Sequence, residues 1–212
     1  MLNILARTSV AKALQPLGER LARAGVSPNA VTVTGTLGAV AAAVAFLGRG
    51  QFLVGTIVIT IFVLFDLVDG ALARARGRSS PFGAVLDSTC DRIVDAAIFG
   101  SLVWWYADRG DSPALLLAAV LCLALASLTS YIKARAEGAG LRCDVGIAER
   151  AERLIVILVG TGLEGIGVPF ALAAALWLLV VATAITVVQR IVVVRRQAAL
   201  VTPQAPPRMP PR

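Results

Sequence analysis

The chain has no histidine, and its three cysteines, Cys90, Cys122 and Cys143, lack the spacing of metal ligands. A zinc or haem centre is therefore excluded. Charge is scarce as well: 16% of the 212 residues are charged against 58% hydrophobic, and the mean hydropathy is +0.81. A water-soluble domain of this size has no core large enough to hide that much apolar surface. No continuous apolar region follows the first positive charges, so no cleaved signal peptide is expected.

What the chain does have is six apolar runs, at about 31–47, 52–65, 85–106, 114–132, 154–163 and 170–194. Several approach the ~20 residues that a helix needs to cross hydrocarbon, so the expected fold is an all-α membrane protein with six transmembrane helices. The shorter second and fifth runs must be extended by polar ends, which places Asp66, Asp69 and Arg74 at or near membrane depth. Six spans put both termini on one side. Nearly all Lys and Arg fall before the first run, between the second and third, between the fourth and fifth, and near the end; the opposite loops hold Arg49 and Arg109 only, and Arg92 lies within the third run. The positive-inside bias then puts both termini in the cytoplasm, with the chain in the plasma membrane. The same bias and anionic headgroups account for the net charge of +7, so no nucleic-acid partner is expected.

Residues 1–26 mix apolar positions with Arg7, Lys12, Arg20 and Arg23, and predict an amphipathic interfacial helix with a break near Pro16. Residues 27–196 form the six-helix domain. Residues 197–212 end in "TPQAPPRMPPR", a Pro-rich tail expected to be disordered.

The stretch "DLVDGALARARGRSSPFGAVLDSTCD", residues 66–91, places four aspartates beside these apolar runs. Asp66 and Asp69 are i,i+3 and Asp87 and Asp91 are i,i+4, so on two helices each pair faces one way, and the short loop between them makes the helices neighbours. Four converging carboxylates repel one another and cost several kcal/mol each to desolvate, so the cluster needs positive charge at its centre. All-oxygen ligands suit a hard divalent cation, Mg²⁺ or alternatively Mn²⁺, and four carboxylates are more than one ion usually recruits, so two ions are expected. Gly70 and Gly83 remove side chains where a ligand could approach the backbone, and Arg74 can reach a phosphate. Together these describe a diphosphate site. Intramembrane carboxylates also mark ion pathways, and a divalent-metal transporter stays open as the reading from another class.

The full pattern, Asp66-x2-Asp69-Gly70-x2-Ala73-Arg74-x8-Gly83-x3-Asp87-x3-Asp91, matches in every position the signature of the CDP-alcohol phosphotransferase family, which this chain resembles. The resemblance implies a six-helix membrane enzyme, usually a homodimer, that moves a phosphatidyl or similar group from a CDP-linked donor such as CDP-diacylglycerol to an alcohol and releases CMP. It further implies that Asp66, Asp69, Asp87 and Asp91 hold two metal ions, that Gly70 and Arg74 contact the CDP moiety, and that Asp91 is the general base for the attacking hydroxyl. Metal-assisted displacement at phosphorus needs such groups. "SPNAVT", residues 27–32, is similar to the family's N-terminal nucleotide-contacting segment, with Asn29 and Thr32 as the contacts; Ser80, in the loop over the site, could bond a phosphate oxygen. Sequence alone leaves open that Ser27, Asn29 or Ser80 merely cap helices.

After the fourth run comes "SYIKARAEGAGLRCDVGIAERAERLI", which carries Lys133, Arg135, Arg142, Arg150 and Arg153 on the cytoplasmic side. So much cation suits an acceptor that bears a phosphate, although positive-inside bias is the plainer reading of each residue singly. This segment and "VLFDLVDGALAR" resemble the branch of the family that uses inositol phosphate as acceptor, over most of residues 26–196. The resemblance implies that Lys133, Arg153 and Arg195 line the acceptor pocket, with Arg135 nearby. A relative that uses glycerol 3-phosphate, making phosphatidylglycerophosphate, would share every donor residue and remains the alternative.

Overall fold

The computed structural model describes residues 27–75 and 80–200, with side-chain detail for all of these except 65–75. The expected interfacial helix in 1–26 and the Pro-rich stretch from 201 onward lie outside the described residues. Among those described the regular structure is all helical, with six α-helices: α1 Pro28–Phe46, α2 Phe52–Ala75, α3 Pro81–Asp108, α4 Pro113–Gly138, α5 Arg150–Gly165 and α6 Ala171–Leu200.

Three of the helices start on the same device. Ser27, Ser80 and Ser112 each precede a proline, and each serine hydroxyl accepts from a backbone N–H three residues on, at Ala30, Gly83 and Leu115. The side-chain oxygen satisfies one of the orphan N–H groups of a helix N-terminus, while proline at the first helical position costs nothing because its missing N–H has no partner there anyway. Between α1 and α2 the chain turns through a short 3₁₀ segment, Leu47–Arg49, and reverses at Gly50, whose φ of 77° is left-handed. A Cβ at Gly50 would also stand 2.5 Å from the ring of Trp105, so both backbone angle and packing require glycine.

Helices α1 and α2, α3 and α4, and α5 and α6 pack as sequential pairs, and contacts of α1 with α3, α2 with α5 and α4 with α6 close the six into a ring. Alanines fill much of the interior: Ala39, Ala42 and Ala43 on α1 and Ala118, Ala119 and Ala126 on α4 belong to the buried core, with Ile98, Phe99 and Leu102 of α3 and Leu172, Leu176 and Leu179 of α6. Small residues let helices approach closely where hydrophobic driving force is weak. The outside is apolar: Leu37, Ile57, Trp104, Leu117, Ile155, Leu178 and Val188 are exposed, whereas Asp95, Arg153, Arg190 and several threonines are buried. Charge inside and hydrocarbon outside is the arrangement a bilayer demands.

Among the described residues, three helical stretches are long and apolar enough to cross a membrane by length and composition: Pro28–Arg49, Pro113–Gly138 and Ala171–Leu200. The other three carry charge in or beside their apolar runs. The second apolar run continues as helix to Ala75 past Asp66, Asp69 and Arg74; α3 includes Asp87, Asp91, Arg92 and Asp95; α5 opens with Arg150, Glu152 and Arg153. Residues 197–200, assigned to the tail from sequence, instead extend α6. Gln-Ala-Ala-Leu are good helix formers, and Gln197 is fixed by hydrogen bonds in both directions with the backbone of Arg142.

Candidate active site

Asp66, Asp69, Gly70 and Arg74 lie on the last turns of α2, and their side chains fall outside the described detail. The other half of the signature is described. Ser80 caps α3, Gly83 follows in its first turn, and Asp87 and Asp91 stand on the next two turns, Asp87 exposed and Asp91 half-buried.

Donor-side residues from two helices meet at Gly83. A methyl group there would lie 3.0 Å from Ser80 Oγ and 3.4 Å from Asn29 Oδ1, so the starts of α1 and α3 converge on a spot kept clear of side chain. Gly83 N–H donates to Ser80 Oγ at 2.9 Å, which makes Ser80 a helix cap in this structure. Two helix N-termini side by side, each with unsatisfied N–H groups and the positive end of its dipole, favour an anion. Thr32 is buried in α1, and its hydroxyl donates to the Pro28 carbonyl at 3.1 Å.

Asp91 is held by cations. Its Oδ1 lies 2.8 Å from Arg150 Nη1, at the first turn of α5, and its Oδ2 lies 3.5 Å from Arg92 Nη2. Asp91 and Arg150 line a small crevice with Gly35, Thr36, Phe62, Cys90 and Val94. The oxygen donors of Asp87 and Asp91 suit a hard divalent cation. Among the described residues no three Asp, Glu, Cys or His side chains converge for a metal; the set nominated by the sequence draws two of its four members from beyond them.

The acceptor-side residues separate into two environments. Arg153 is buried, 3% exposed, with Nη2 at 3.1 Å from Asp95 Oδ2, and Nη1 donates to the Ala148 carbonyl at 3.1 Å and towards Thr129 Oγ1 at 3.4 Å. Lys133, one turn along α4 from Thr129, donates to Asp144 at 2.8 Å, with Glu137 at 3.8 Å. The Lys133 hydrogen bond and charge hold the exposed Asp144 carboxyl below the usual carboxylate range. Arg135 and Arg195 are exposed. Arg195 follows Arg190 by five residues, so the two occupy different stripes of α6.

Three participants were not singled out from the sequence as site residues. Asp95 and Arg150 complete the ionic chain from Asp91 to Arg153. Arg190, also buried, donates to the carbonyls of Val145 and Thr129, tying the loop after α4 to α6. For Asp95 and Arg190 a signal was present: Arg190 is a lone charge in an otherwise apolar stretch, and Asp95 continues the four-residue step of Asp87 and Asp91.

Residues 25–188 match the family model described as CDP-alcohol phosphatidyltransferase. A phosphatidylinositol phosphate synthase of Streptomyces avermitilis is 48% identical over 206 residues, covering 94% of this chain and 84% of the relative. One from Mycolicibacterium smegmatis is 43% identical, covering 96% and 93%. The crystal structure of the Mycobacterium tuberculosis phosphatidylinositol phosphate synthase with CDP-DAG bound superposes with a TM-score of 0.84 at 44% identity, covering 94% of this chain and all of that one. The same enzyme with manganese and citrate gives 0.83, covering 93% of each chain. The signature, the six-helix ring and these relatives lead to one conclusion: the chain belongs to the CDP-alcohol phosphatidyltransferase family.

Proposed function

We propose that this protein transfers the phosphatidyl group of CDP-diacylglycerol to a hydroxyl of inositol phosphate, giving phosphatidylinositol phosphate and CMP. The family match supports the reaction class, and relatives named for this product support the acceptor. The observation that carries the reading is the 2.8 Å pair of Arg150 and Asp91. It sets the last aspartate of the donor signature against the helix that follows the basic loop, so a group bound at one reaches the other.

In this reading Asn29, Thr32, Gly70, Arg74 and Ser80 hold the cytidine diphosphate portion, and Gly83 keeps the ground between Asn29 and Ser80 clear for it. Asp66, Asp69, Asp87 and Asp91 would hold two Mg²⁺ ions, or Mn²⁺ as in the mycobacterial relative, and metal bound there would supply positive charge against the diphosphate. Asp91, oriented by Arg150, takes the proton of the acceptor hydroxyl as its oxygen bonds to the phosphorus that carries diacylglycerol. The bond from that phosphorus to the oxygen of CMP breaks, and CMP leaves. Lys133, Arg153 and Arg195, with Arg135 nearby, grip the acceptor phosphate. All six helices span the plasma membrane as one domain over 27–196, with cytoplasmic termini, and two copies assemble as a homodimer.

The deciding experiment incubates the purified protein with CDP-diacylglycerol, Mg²⁺ and each acceptor, and measures CMP. Inositol phosphate should give the fastest release. Preference for glycerol 3-phosphate would assign the chain to phosphatidylglycerophosphate synthesis, and metal flux without CMP would make it a transporter.

A further inference from the structure

The proposed reaction gives work to the four aspartates of the signature and leaves a fifth carboxylate without a role. Asp95 stands one turn beyond Asp91 on α3 and is 4% exposed, among the buried Val94, Ile98 and Phe99. A carboxylate in such surroundings is costly unless it is paired. Its Oδ2 lies 3.1 Å from Arg153 Nη2 and its Oδ1 lies 3.7 Å from Arg150 Nε.

Those two arginines open α5 three residues apart, a spacing at which like charges share a face and repel. One carboxylate set between them removes the repulsion: it fixes the Arg153 guanidinium by a hydrogen bond and acts on Arg150 by charge alone, since 3.7 Å is too long for one. The effect runs in two directions. Arg150 is left with Nη1 on Asp91 Oδ1 at 2.8 Å. Arg153 is turned so that Nη1 meets the Ala148 carbonyl and Thr129, while its buried Nε has no hydrogen-bond partner among the described residues and remains a donor in reserve.

We infer that Asp95 is a positioning residue for the transfer: it touches neither substrate, but holds Arg150 against Asp91 and Arg153 towards the acceptor. The inference rests on the phosphatidyltransferase reading with a phosphorylated acceptor. A passive counter-charge in the core would, when removed, lower the amount of folded enzyme and leave both Michaelis constants alone. A positioning residue acts unevenly. Its loss falls on the acceptor's KM through Arg153 and on kcat through Arg150 and Asp91, while the donor's KM is spared, because Asn29, Ser80 and Gly83 gather at the starts of α1 and α3.

The test uses the full-length protein in detergent with CDP-diacylglycerol and Mg²⁺, reading CMP release. The native enzyme is first assayed with inositol phosphate and with glycerol 3-phosphate, and the acceptor it prefers is used for the variants. A wrong acceptor assignment then shows in the native enzyme alone, and Asp95 is judged separately. Asp95→Asn should raise the acceptor's KM by about tenfold, the worth of one charge-assisted hydrogen bond to Arg153, and lower kcat by about two- to threefold, because only charge reaches Arg150, with the donor's KM within about twofold. Asp95→Glu, which keeps the charge, should recover most of the acceptor's KM. In an Arg153→Gln background, Asp95→Asn should raise the acceptor's KM by less than about twofold more, since contacting residues are not additive. This double variant keeps the charge balanced, so it serves where Asp95→Asn alone fails to fold. An unchanged acceptor KM in Asp95→Asn, an equal rise in both Michaelis constants, or full multiplication of effects in the double variant overturns the inference. A native protein that releases CMP with neither acceptor removes the parent reading and this inference together.

Discussion

Arg190 reaches from α6 to the carbonyl oxygen of Thr129 on α4, donating Nη1 at 2.6 Å, and its Nε donates to the Val145 carbonyl at 2.9 Å. A guanidinium that is 4% exposed thus joins two helices and the loop that leads into α5. Arg190→Ala strips two buried acceptors of a charged donor and leaves Glu149 without the cation now 3.8 Å away. The expected cost is about 3 kcal/mol, or a fall of roughly 6–12 °C in Tm for a chain of this length. Thermal unfolding in detergent checks it. Arg190→Lys should restore only part, because an ammonium cannot serve both carbonyls from one fork. A Tm within about 2 °C of native would mean that the clasp carries little stability.

The two described aspartates of the signature should fail differently. Asp91→Asn keeps a neutral side chain of the same shape beside Arg150 and removes the proton acceptor, so CMP release should fall by roughly 10²–10⁴-fold while CDP-diacylglycerol still binds. Asp87→Asn should abolish turnover and weaken metal binding together, as should Asp66→Asn. Titration calorimetry with Mn²⁺, run beside the CMP assay, separates the two patterns. Near-native turnover in Asp91→Asn would remove it as the base.

On the acceptor side, Lys133→Ala, Arg153→Ala and Arg195→Ala should each raise the acceptor's KM by about one to two powers of ten, the equivalent of roughly 1.5–3 kcal/mol per charge-assisted hydrogen bond, with the donor's KM unchanged. Unphosphorylated inositol should be a poor substrate that the substitutions hardly affect. Asp144 supplies a change of opposite sign. Its carboxylate already occupies Lys133 at 2.8 Å, so an incoming phosphate must displace it, and Asp144→Asn should lower the acceptor's KM by a few fold. Because Lys133 holds the Asp144 carboxyl below its usual range, the pair persists at neutral pH and is lost only as pH falls through that lowered value. The benefit of Asp144→Asn should therefore be present at pH 7 and fade towards strong acid.

Topology is open to chemical labelling. Single cysteines placed within residues 108–112 should react with an impermeant thiol reagent added to intact cells, and those within 138–142 should not. The native Cys90, Cys122 and Cys143 are at most 5% exposed, so they give little background. Labelling of the second loop from outside would reverse the orientation and separate the site from cytoplasmic CMP.

Much of the architecture is legible because a bilayer simplifies the code. Runs of Val, Leu, Ala and Ile mark the helices, and each Ser-Pro pair at 27, 80 and 112 marks a start. The aspartate signature is equally plain, since its eight specified positions fall within one short stretch. What stayed hidden depends on distance along the chain. Nothing local to Asp91 or Asp95 announces that their counter-charges come from α5, and Arg150 reads as one more cytoplasmic cation until the ring closes. The four extra residues of α6 were obscured by the prolines that follow, because the stabilising partner of Gln197 is the backbone of Arg142, 55 positions away.

The order in which the ring closes has a consequence for how the protein is made. A nascent chain whose first four helices have left the ribosome holds two hairpins, α1 with α2 and α3 with α4, joined through α1 and α3, while the flanks of α2 and α4 that face α5 and α6 stand open. Until α5 arrives, Asp95 lacks Arg150 and Arg153, and a carboxylate packed among apolar side chains is costly without its counter-charges. Synthesis therefore ends with a charge-neutralising step. A polypeptide that stops after Gly138 would lack both α5 arginines beside Asp95 and would leave two helix faces unpaired.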